Sequence, residues 1–199
     1  MNCVDYLMNN KPEFSKTHAK ILAGIIEIAQ DKPIYEIAVA ELTRKISINR
    51  GTFYLHFTDI SEAIRQIEDK LIEKIVTVLD ATRLRHSGDA YELNMYLSIT
   101  QSIQDYWEAY VVLLGSNGDF QFTKRLRDKL MPYIGINGIQ KTHKNKDIPV
   151  DMAEDIIINN IFGIVVFWIL NRPDLSGDQV ASILYKTRRM NPLEIGGIL

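Results

Sequence analysis

Apolar residues recur at every third or fourth position over much of the chain, which is the spacing of amphipathic helices. In the first such segment, the apolar stripe consists of Ile21, Leu22, Ile25, Ile28 and Ala29. Thr17 stands where this helix needs an N-cap, and Pro33 ends it because the residue before a proline avoids the helical conformation. We therefore predict a first helix over residues 16–30.

Two short helices joined by a tight turn are predicted between Val39 and Phe57. The second begins after Asn49, a good N-cap, and buries Phe53 and Phe57, which are four residues apart. The residues left on its outer side are Arg50, Gly51, Thr52, Tyr54 and His56. A short helix with an arginine, a hydroxyl, a phenol and an imidazole facing outward suits a DNA major groove. The alternative is an ordinary buried amphipathic turn.

The connection between the first helix and this pair contains Ile34, Tyr35 and Ile37. We expect all three side chains to pack against a small three-helix core. Further helices are predicted over residues 61–82, 90–104, 105–114, 120–140, 151–170 and 176–190. The clearest break between them is the polar stretch at 83–89.

The pattern therefore predicts an all-α protein with two regions. Residues 1–60 form an N-terminal three-helix helix-turn-helix DNA-binding domain, in which 1–14 are a flexible arm. Residues 61–199 form a second, helical region. The helix over 61–82 links the two regions mechanically.

The sequence of the second short helix resembles a known family. Residues 48–57 read INRGTFYLHF, and the upstream residues 32–37 read KPIYEI. Both segments are similar to the N-terminal domain of the tetracycline-repressor (TetR) family of bacterial transcriptional regulators. The resemblance implies a ligand-responsive repressor that binds a palindromic double-stranded DNA operator as a homodimer. It also implies that residues 61–199 form the domain for ligand binding and dimerisation. The DNA-binding residues it implies are Thr17, Lys45, Asn49, Arg50, Gly51, Thr52, Tyr54 and His56.

Three positions depart from the family pattern. Ala38 replaces a Ser or Thr cap, so the helix that follows is expected to fray, at a cost of about 1 kcal/mol. Ser47 replaces the usual turn glycine, so a positive φ there would be mildly strained. Ile60 replaces a lysine that often binds phosphate, which removes that contact.

The chain has 199 residues and a net charge of −2, so no global positive field drives it onto nucleic acid. Any DNA affinity must come from a local surface and from dimerisation. The cationic side chains that could supply this surface are Lys11, Lys16, Lys20, Lys45 and Arg50. The alternative is that some of them are only solvated.

The most hydrophobic segment is 151–170, with an unbroken apolar run from Ile161 to Leu170. This run is shorter than the roughly 20 residues that span a bilayer, so we expect a buried helix and no membrane association. Gly163 would permit close approach of a neighbouring helix. Segments 151–170 and 176–190 resemble the pair that forms the family's dimer interface, and the alternative is a monomer core.

The central helices are rich in aromatic residues and methionine, which suit an adaptable apolar pocket for a small-molecule effector. The candidate pocket residues are Met95, Tyr96, Ile99, Tyr106, Trp107, Tyr110, Phe122 and Trp168. An ordinary hydrophobic core would have the same composition. The sequence does not name the effector.

Catalytic and metal-binding motifs are missing from the sequence, so we expect a protein with no enzymatic activity, cofactor or metal. The four histidines are dispersed and are expected at the surface or at helix ends. The single cysteine, Cys3, agrees with a reducing cytoplasm. The alternative function is that of a helical adaptor or assembly protein with a degenerate DNA-binding head.

Overall fold

A computed structural model describes residues 16–85, 88–134 and 147–198, and every regular element in these ranges is a helix. The α-helices are α1 (Lys16–Ala29), α2 (Val39–Lys45), α3 (Arg50–Tyr54), α4 (Ile60–Arg85), α5 (Gly88–Asp105), α6 (Trp107–Leu114), α7 (Phe120–Ile134), α8 (Val150–Asn171), α9 (Gly177–Thr187) and α10 (Pro192–Ile195). A 3-10 turn covers Ile34–Glu36. The all-α prediction is confirmed.

The chain forms two compact units that differ from the predicted domains. The first unit contains the residues up to Glu73 together with Asp105–Lys124. The second contains Lys74–Gln104 together with the residues from Arg125 onward. Helices α4, α5 and α7 each contribute residues to both units. The functional boundary at residue 60 stays a prediction.

The first unit is built around α1, which buries the apolar stripe that its sequence predicted. Gly24 lets α2 approach α1 closely, because a Cβ atom built on Gly24 would lie 2.8 Å from Leu42 Cδ1. Thr17 is already helical, so the prediction that it caps α1 is wrong. Tyr35 is 73% exposed, so the prediction that it packs in the core is wrong as well. Ile34 and Ile37 are buried as predicted, since alternate sides of the 3-10 turn face the core and the solvent.

Polar contacts join α5 to the end of α9 within the second unit. The Arg188 guanidinium donates to the Tyr96 hydroxyl at 3.2 Å, and Tyr96 donates to Glu92 at 3.2 Å. Burial raises the pKa of the Tyr96 phenol to about 12, although the nearby Arg188 charge opposes this shift. Ser176 caps α9 through a capping box with Gln179.

Helix α8 is not the buried helix that was predicted. Only five of its 22 residues are buried: Ile158, Ile161, Val165, Trp168 and Ile169. By length and composition α8 could cross a membrane, and 22% of its most apolar window is buried. The core helix of a soluble protein can have the same length and composition, so the expectation of no membrane association stays a prediction. On α9, Val180 and Leu184 are buried, whereas Ile183 is 38% exposed.

Several predicted boundaries shift by a few residues. Helix α4 begins at Ile60 because the Asp59 carboxylate accepts the Glu62 N–H at 2.8 Å. It continues to Arg85, so the predicted break at 83–89 begins too early. Pro132 lies inside α7. The predicted arm at 1–14 and the last six residues of the helix predicted over 120–140 lie outside the described residues.

Candidate nucleic-acid interface

The turn between α2 and α3 has the geometry that the sequence indicated. Ser47 has a φ of +53°, the one positive φ of a non-glycine residue in the described part of the chain. The Ser47 N–H donates to Arg44 O at 3.3 Å and the Ile48 N–H to Thr43 O at 3.0 Å, which closes the turn. The strain expected at Ser47 is therefore present, since an L-residue in this region costs about 1–2 kcal/mol.

Asn49 fixes the start of α3. Its side-chain oxygen accepts the Thr52 N–H at 2.6 Å and the Thr52 hydroxyl at 3.0 Å. This is the predicted N-cap, and it satisfies one of the unpaired N–H groups at the helix start. The Thr52 hydroxyl oxygen keeps acceptor capacity while its hydrogen is directed to Asn49.

One side of α3 is held by aromatic residues and the other faces solvent. Phe53 and Phe57 are buried, with ring centroids 5.8 Å apart, as the sequence predicted. Arg50 and Gly51 are exposed, and the Tyr54 ring is 56% exposed and meets Phe53 edge-on at 5.4 Å. The buried pair thus fixes the rotation of α3 about its axis and directs Arg50 and Tyr54 outward.

His56 does not stand fully on this outer side, which corrects the sequence-based expectation. It is half-buried, and its ring meets His18 of α1 edge-on with centroids 5.7 Å apart. His18 lies in the first turn of α1, at a helix end as expected, but it is buried rather than at the surface and stacks on Phe57 at 4.6 Å. Burial, followed by the charges of Lys70 and His56, lowers the pKa of His18 to about 4. His18 is therefore neutral at pH 7.

The other predicted DNA-binding residues flank α3. Lys45, at the end of α2, forms an ion pair with Glu27 of α1 at 2.7 Å. Thr17 is half-buried near the start of α1. Ala38 supplies no side-chain cap to α2, as expected, but its carbonyl accepts the N–H of Leu42 at 3.0 Å. The structure tests no role of these residues in DNA binding.

The predicted ligand residues are divided between the two compact units. The first unit contains Tyr106, Trp107, Tyr110 and Phe122, and the second contains Met95, Tyr96, Ile99 and Trp168. All except Trp107 are buried. Several have internal partners: Tyr110 donates to Leu71 O at 3.4 Å, and Trp168 Nε1 donates to Leu175 O at 2.9 Å. These contacts favour the core alternative for those side chains, and the effector pocket stays a prediction.

An open apolar groove of about 480 Å³ lies between α8 and α9 in the second unit. Its lining residues are Gly163, Ile164, Phe167, Trp168, Arg172, Leu175, Val180 and Ile183. Trp168 is the one predicted ligand residue among them. A Cβ atom on Gly163 would have nothing within 4 Å, so no helix of the described chain uses the close approach that this glycine permits.

Two features were missed from the sequence. His18 shares the helical face of Ile21, Leu22 and Ile25, so its spacing did indicate burial. Asn117 bonds to the end of α1 across 88 residues of chain, and no local pattern could have predicted that. Among residues 16–85, 88–134 and 147–198, no group of three His, Cys, Asp or Glu side chains could hold a metal ion.

Comparison with known proteins gives a consistent picture. No family model matches the sequence. The uncharacterized HTH-type transcriptional regulator YvdT of Bacillus subtilis (strain 168) is 25% identical over 114 residues, which are 57% of this chain and 49% of that protein. The chain thus matches about half the length of this relative.

Solved structures share the fold over most of the chain. One is described as a TetR-family transcriptional regulator from Syntrophomonas wolfei str. Goettingen, with a TM-score of 0.64, 16% identity and coverage of 86% of this chain and 92% of that one. Another is the fatty acid degradation regulator FadR from Bacillus halodurans, with a TM-score of 0.65, 10% identity and coverage of 86% and 94%. The chain therefore has the all-α fold of the TetR-family regulators with its N-terminal helix-turn-helix, as the resemblance in residues 48–57 implied.

Proposed function

We propose that this protein is a DNA-binding transcriptional regulator that represses transcription as a homodimer on a palindromic operator. The observation that carries the proposal is the two-sided geometry of α3. Its buried phenylalanines fix the helix, while Arg50, Thr52 and Tyr54 remain available to base edges and phosphates. Sequence readout requires this arrangement, because side chains must enter the major groove from a helix whose rotation is fixed.

Each outward residue has a role that its chemistry suits. Arg50 carries a planar fork of donors, which matches a guanine edge or a phosphate. The Tyr54 hydroxyl and the Thr52 oxygen are hydrogen-bonding groups of the length that reaches the sugar-phosphate backbone. Lys45 can contribute to phosphate binding if its ion pair with Glu27 opens, which is inexpensive for an exposed pair. Thr17 and His56 are proposed to approach the backbone at the edge of the same surface.

The proposed homodimer forms through α8 and α9. Ile156 and Phe167 of α8 and Ile183 of α9 are exposed in a single chain, and the groove between the helices is apolar. A second copy would cover these side chains and bring its own helix close to the open side of Gly163. Two recognition helices on a palindrome must lie about one helical turn of DNA, roughly 34–36 Å, apart, and a two-fold symmetric dimer can provide that spacing.

We assign the apolar face of α8 to a protein partner rather than to lipid. Polar groups occupy the N-terminal half of α8, where Arg127 of α7 forms an ion pair with Asp155 and Asn159 donates to the same carboxylate at 2.8 Å. A charged pair in that part of the helix is costly in the bilayer interior. We therefore propose that the regulator is located in the cytoplasm. We also propose that it has no enzymatic activity.

A small-molecule effector is proposed to regulate DNA binding through α4, which contributes residues to both compact units. The effector can act only if its affinities for the DNA-binding and non-binding forms differ, and a coupling free energy of about 1–3 kcal/mol is typical. A bound ligand that leaves operator affinity unchanged would contradict this part of the proposal.

The first test measures binding of the purified protein to DNA from its own upstream region, in about 0.15 M salt with competitor DNA. We expect specific binding to a short palindrome. Arg50→Ala should lower the affinity by about 1–3 kcal/mol and relax specificity at one base position. Tyr54→Phe removes only the hydroxyl and should have a smaller effect.

The control variant is Lys129→Ala, which removes one positive charge from an exposed position of α7 and should leave specific binding unchanged. Only steep salt-dependent binding to any DNA, with no preferred sequence in a genome-wide map, would favour the adaptor alternative. Equal losses for Arg50→Ala and Lys129→Ala would mean that α3 does not read the operator.

A further inference from the structure

The loop between α6 and α7 makes long-range hydrogen bonds that the DNA-reading surface does not use. The side-chain amide of Asn117 donates to the carbonyl oxygens of Ala29 and Gln30, at 3.2 Å each. The main-chain carbonyl of Asn117 accepts the N–H of Ile34 at 2.8 Å. These partners stand on both sides of Pro33, so a single residue holds the end of α1 and the start of the 3-10 turn that follows it.

The chemistry of this contact specifies an amide. The last carbonyl groups of a helix have no partner within the helix, and they carry the negative end of its dipole. The NH₂ group of Asn117 supplies two donors to such carbonyls at the end of α1. A carboxylate of the same shape would offer no donor and would place a negative charge against them.

Asn117 is itself held firmly in place. The Gly118 N–H donates to Gly115 O at 3.1 Å, and Asp119 accepts the Gln121 N–H at 2.8 Å at the start of α7. A Cβ atom on Gly118 would overlap the carbonyl group of Leu113, so the loop depends on a glycine there. Leu113 is buried, which fixes the end of α6 that carries the loop.

We infer that Asn117 is a positioning residue, which attaches the helix-turn-helix head (residues 16–57) to α6 and thereby sets the direction of the recognition helix. The chain already joins the head to α4 covalently, and Asn117 supplies a second, non-covalent attachment within the same compact unit. A displacement of α6 would reach α1 and α2 through these hydrogen bonds. The consequence for operator binding rests on the proposed function.

Two variants test the inference without assuming that the protein binds DNA. Hydrogen exchange of the amides in residues 29–37 is measured in the full-length protein for Asn117→Ala and Asn117→Asp. Loss of two hydrogen bonds should accelerate exchange there by about tenfold or more. The Asp variant should exchange faster than the Ala variant, which a purely space-filling role would not produce.

The matched control is Asn94→Ala, which also removes an amide-to-carbonyl hydrogen bond, from Asn94 to Ala90 at 2.7 Å within α5. It should leave exchange at 29–37 unchanged. Gly118→Ala is a third variant, because it shifts the loop while keeping the Asn117 amide, and it should also accelerate exchange at 29–37. Unchanged exchange in both Asn117 variants, or equal exchange in Asn117→Asp and wild type, would overturn the inference.

Operator affinity is then measured on the same variants. We expect a loss of about tenfold for Asn117→Ala and a larger loss for Asn117→Asp, with unchanged salt dependence of non-specific binding. Faster exchange with full operator affinity would show that the attachment does not direct the recognition helix, which would overturn the inference. If the wild type binds no specific DNA while exchange follows the expected order, the proposed function fails and the attachment stands.

Discussion

Helices α1 and α8 are both strongly apolar, yet they differ in how many of their residues are buried. Helix α1 buries eight of its 14 residues, including His18, within its own compact unit. Helix α8 buries five of 22 and leaves Phe167 58% exposed. The difference shows that hydrophobicity predicts that a helix needs a partner, whereas the tertiary structure decides whether that partner belongs to the same chain.

The largest loss of stability should come from a substitution on the buried face of α1. Ile25→Ala removes a fully buried side chain of α1 and should destabilise the first unit by about 2–5 kcal/mol. Urea unfolding measures this loss. Ile156→Ala on the exposed face of α8 should cost far less in the monomer at low protein concentration. Comparable losses for the two variants would mean that α8 is packed within the single chain after all.

A substitution on the exposed face of α8 should weaken the proposed dimer rather than destabilise the folded chain. Phe167→Glu would place an unpaired carboxylate in the proposed dimer interface and should weaken the dimer at least a hundredfold, or about 3 kcal/mol. Sedimentation without detergent measures the dissociation constant. Phe120→Glu is the matched control, since Phe120 is 83% exposed at the start of α7. A Phe167→Glu protein that remains dimeric would place the interface elsewhere.

Low pH should destabilise the protein through the buried His18 of α1. His18 has a pKa of about 4 in the fold and about 6.5 when unfolded, so the unfolded chain binds more protons between these values. Its contribution to stability is complete above pH 6.5 and is lost as the pH falls toward 4, by about 3 kcal/mol. His18→Gln should flatten the pH dependence of urea unfolding in this interval. An unchanged slope would contradict the assignment to His18.

The smallest effect concerns the strained turn. Ser47→Gly removes the cost of a positive φ and should stabilise the first unit by about 0.5–1 kcal/mol, after the larger chain entropy of glycine is subtracted. Thermal unfolding measures the gain. A loss of stability would show that the Ser47 side chain makes a contact worth more than the strain.

Local chemistry explains which features were predictable. The α3 cap at Asn49, the buried phenylalanines and the positive φ at Ser47 all depend on residues within one or two turns. The same local reasoning misplaced Tyr35 and His56. Tyr35 lies in a short connection and His56 lies just after a helix end, and in both places the backbone direction that decides which side chain faces the core does not follow from the helical repeat. Neither error affects Arg50 or Tyr54, since Phe53 fixes the helix between them.

By itself, the sequence determined the helices, the helix-turn-helix and the outward face of α3, because hydrophobic periodicity, caps and turn residues act over a few positions. Only the tertiary structure decided that α1 is buried while α8 is exposed, that His18 lies against His56, and that Asn117 closes the end of α1. These features join residues that are distant along the chain. Their geometry follows from packing, which one-dimensional patterns do not record.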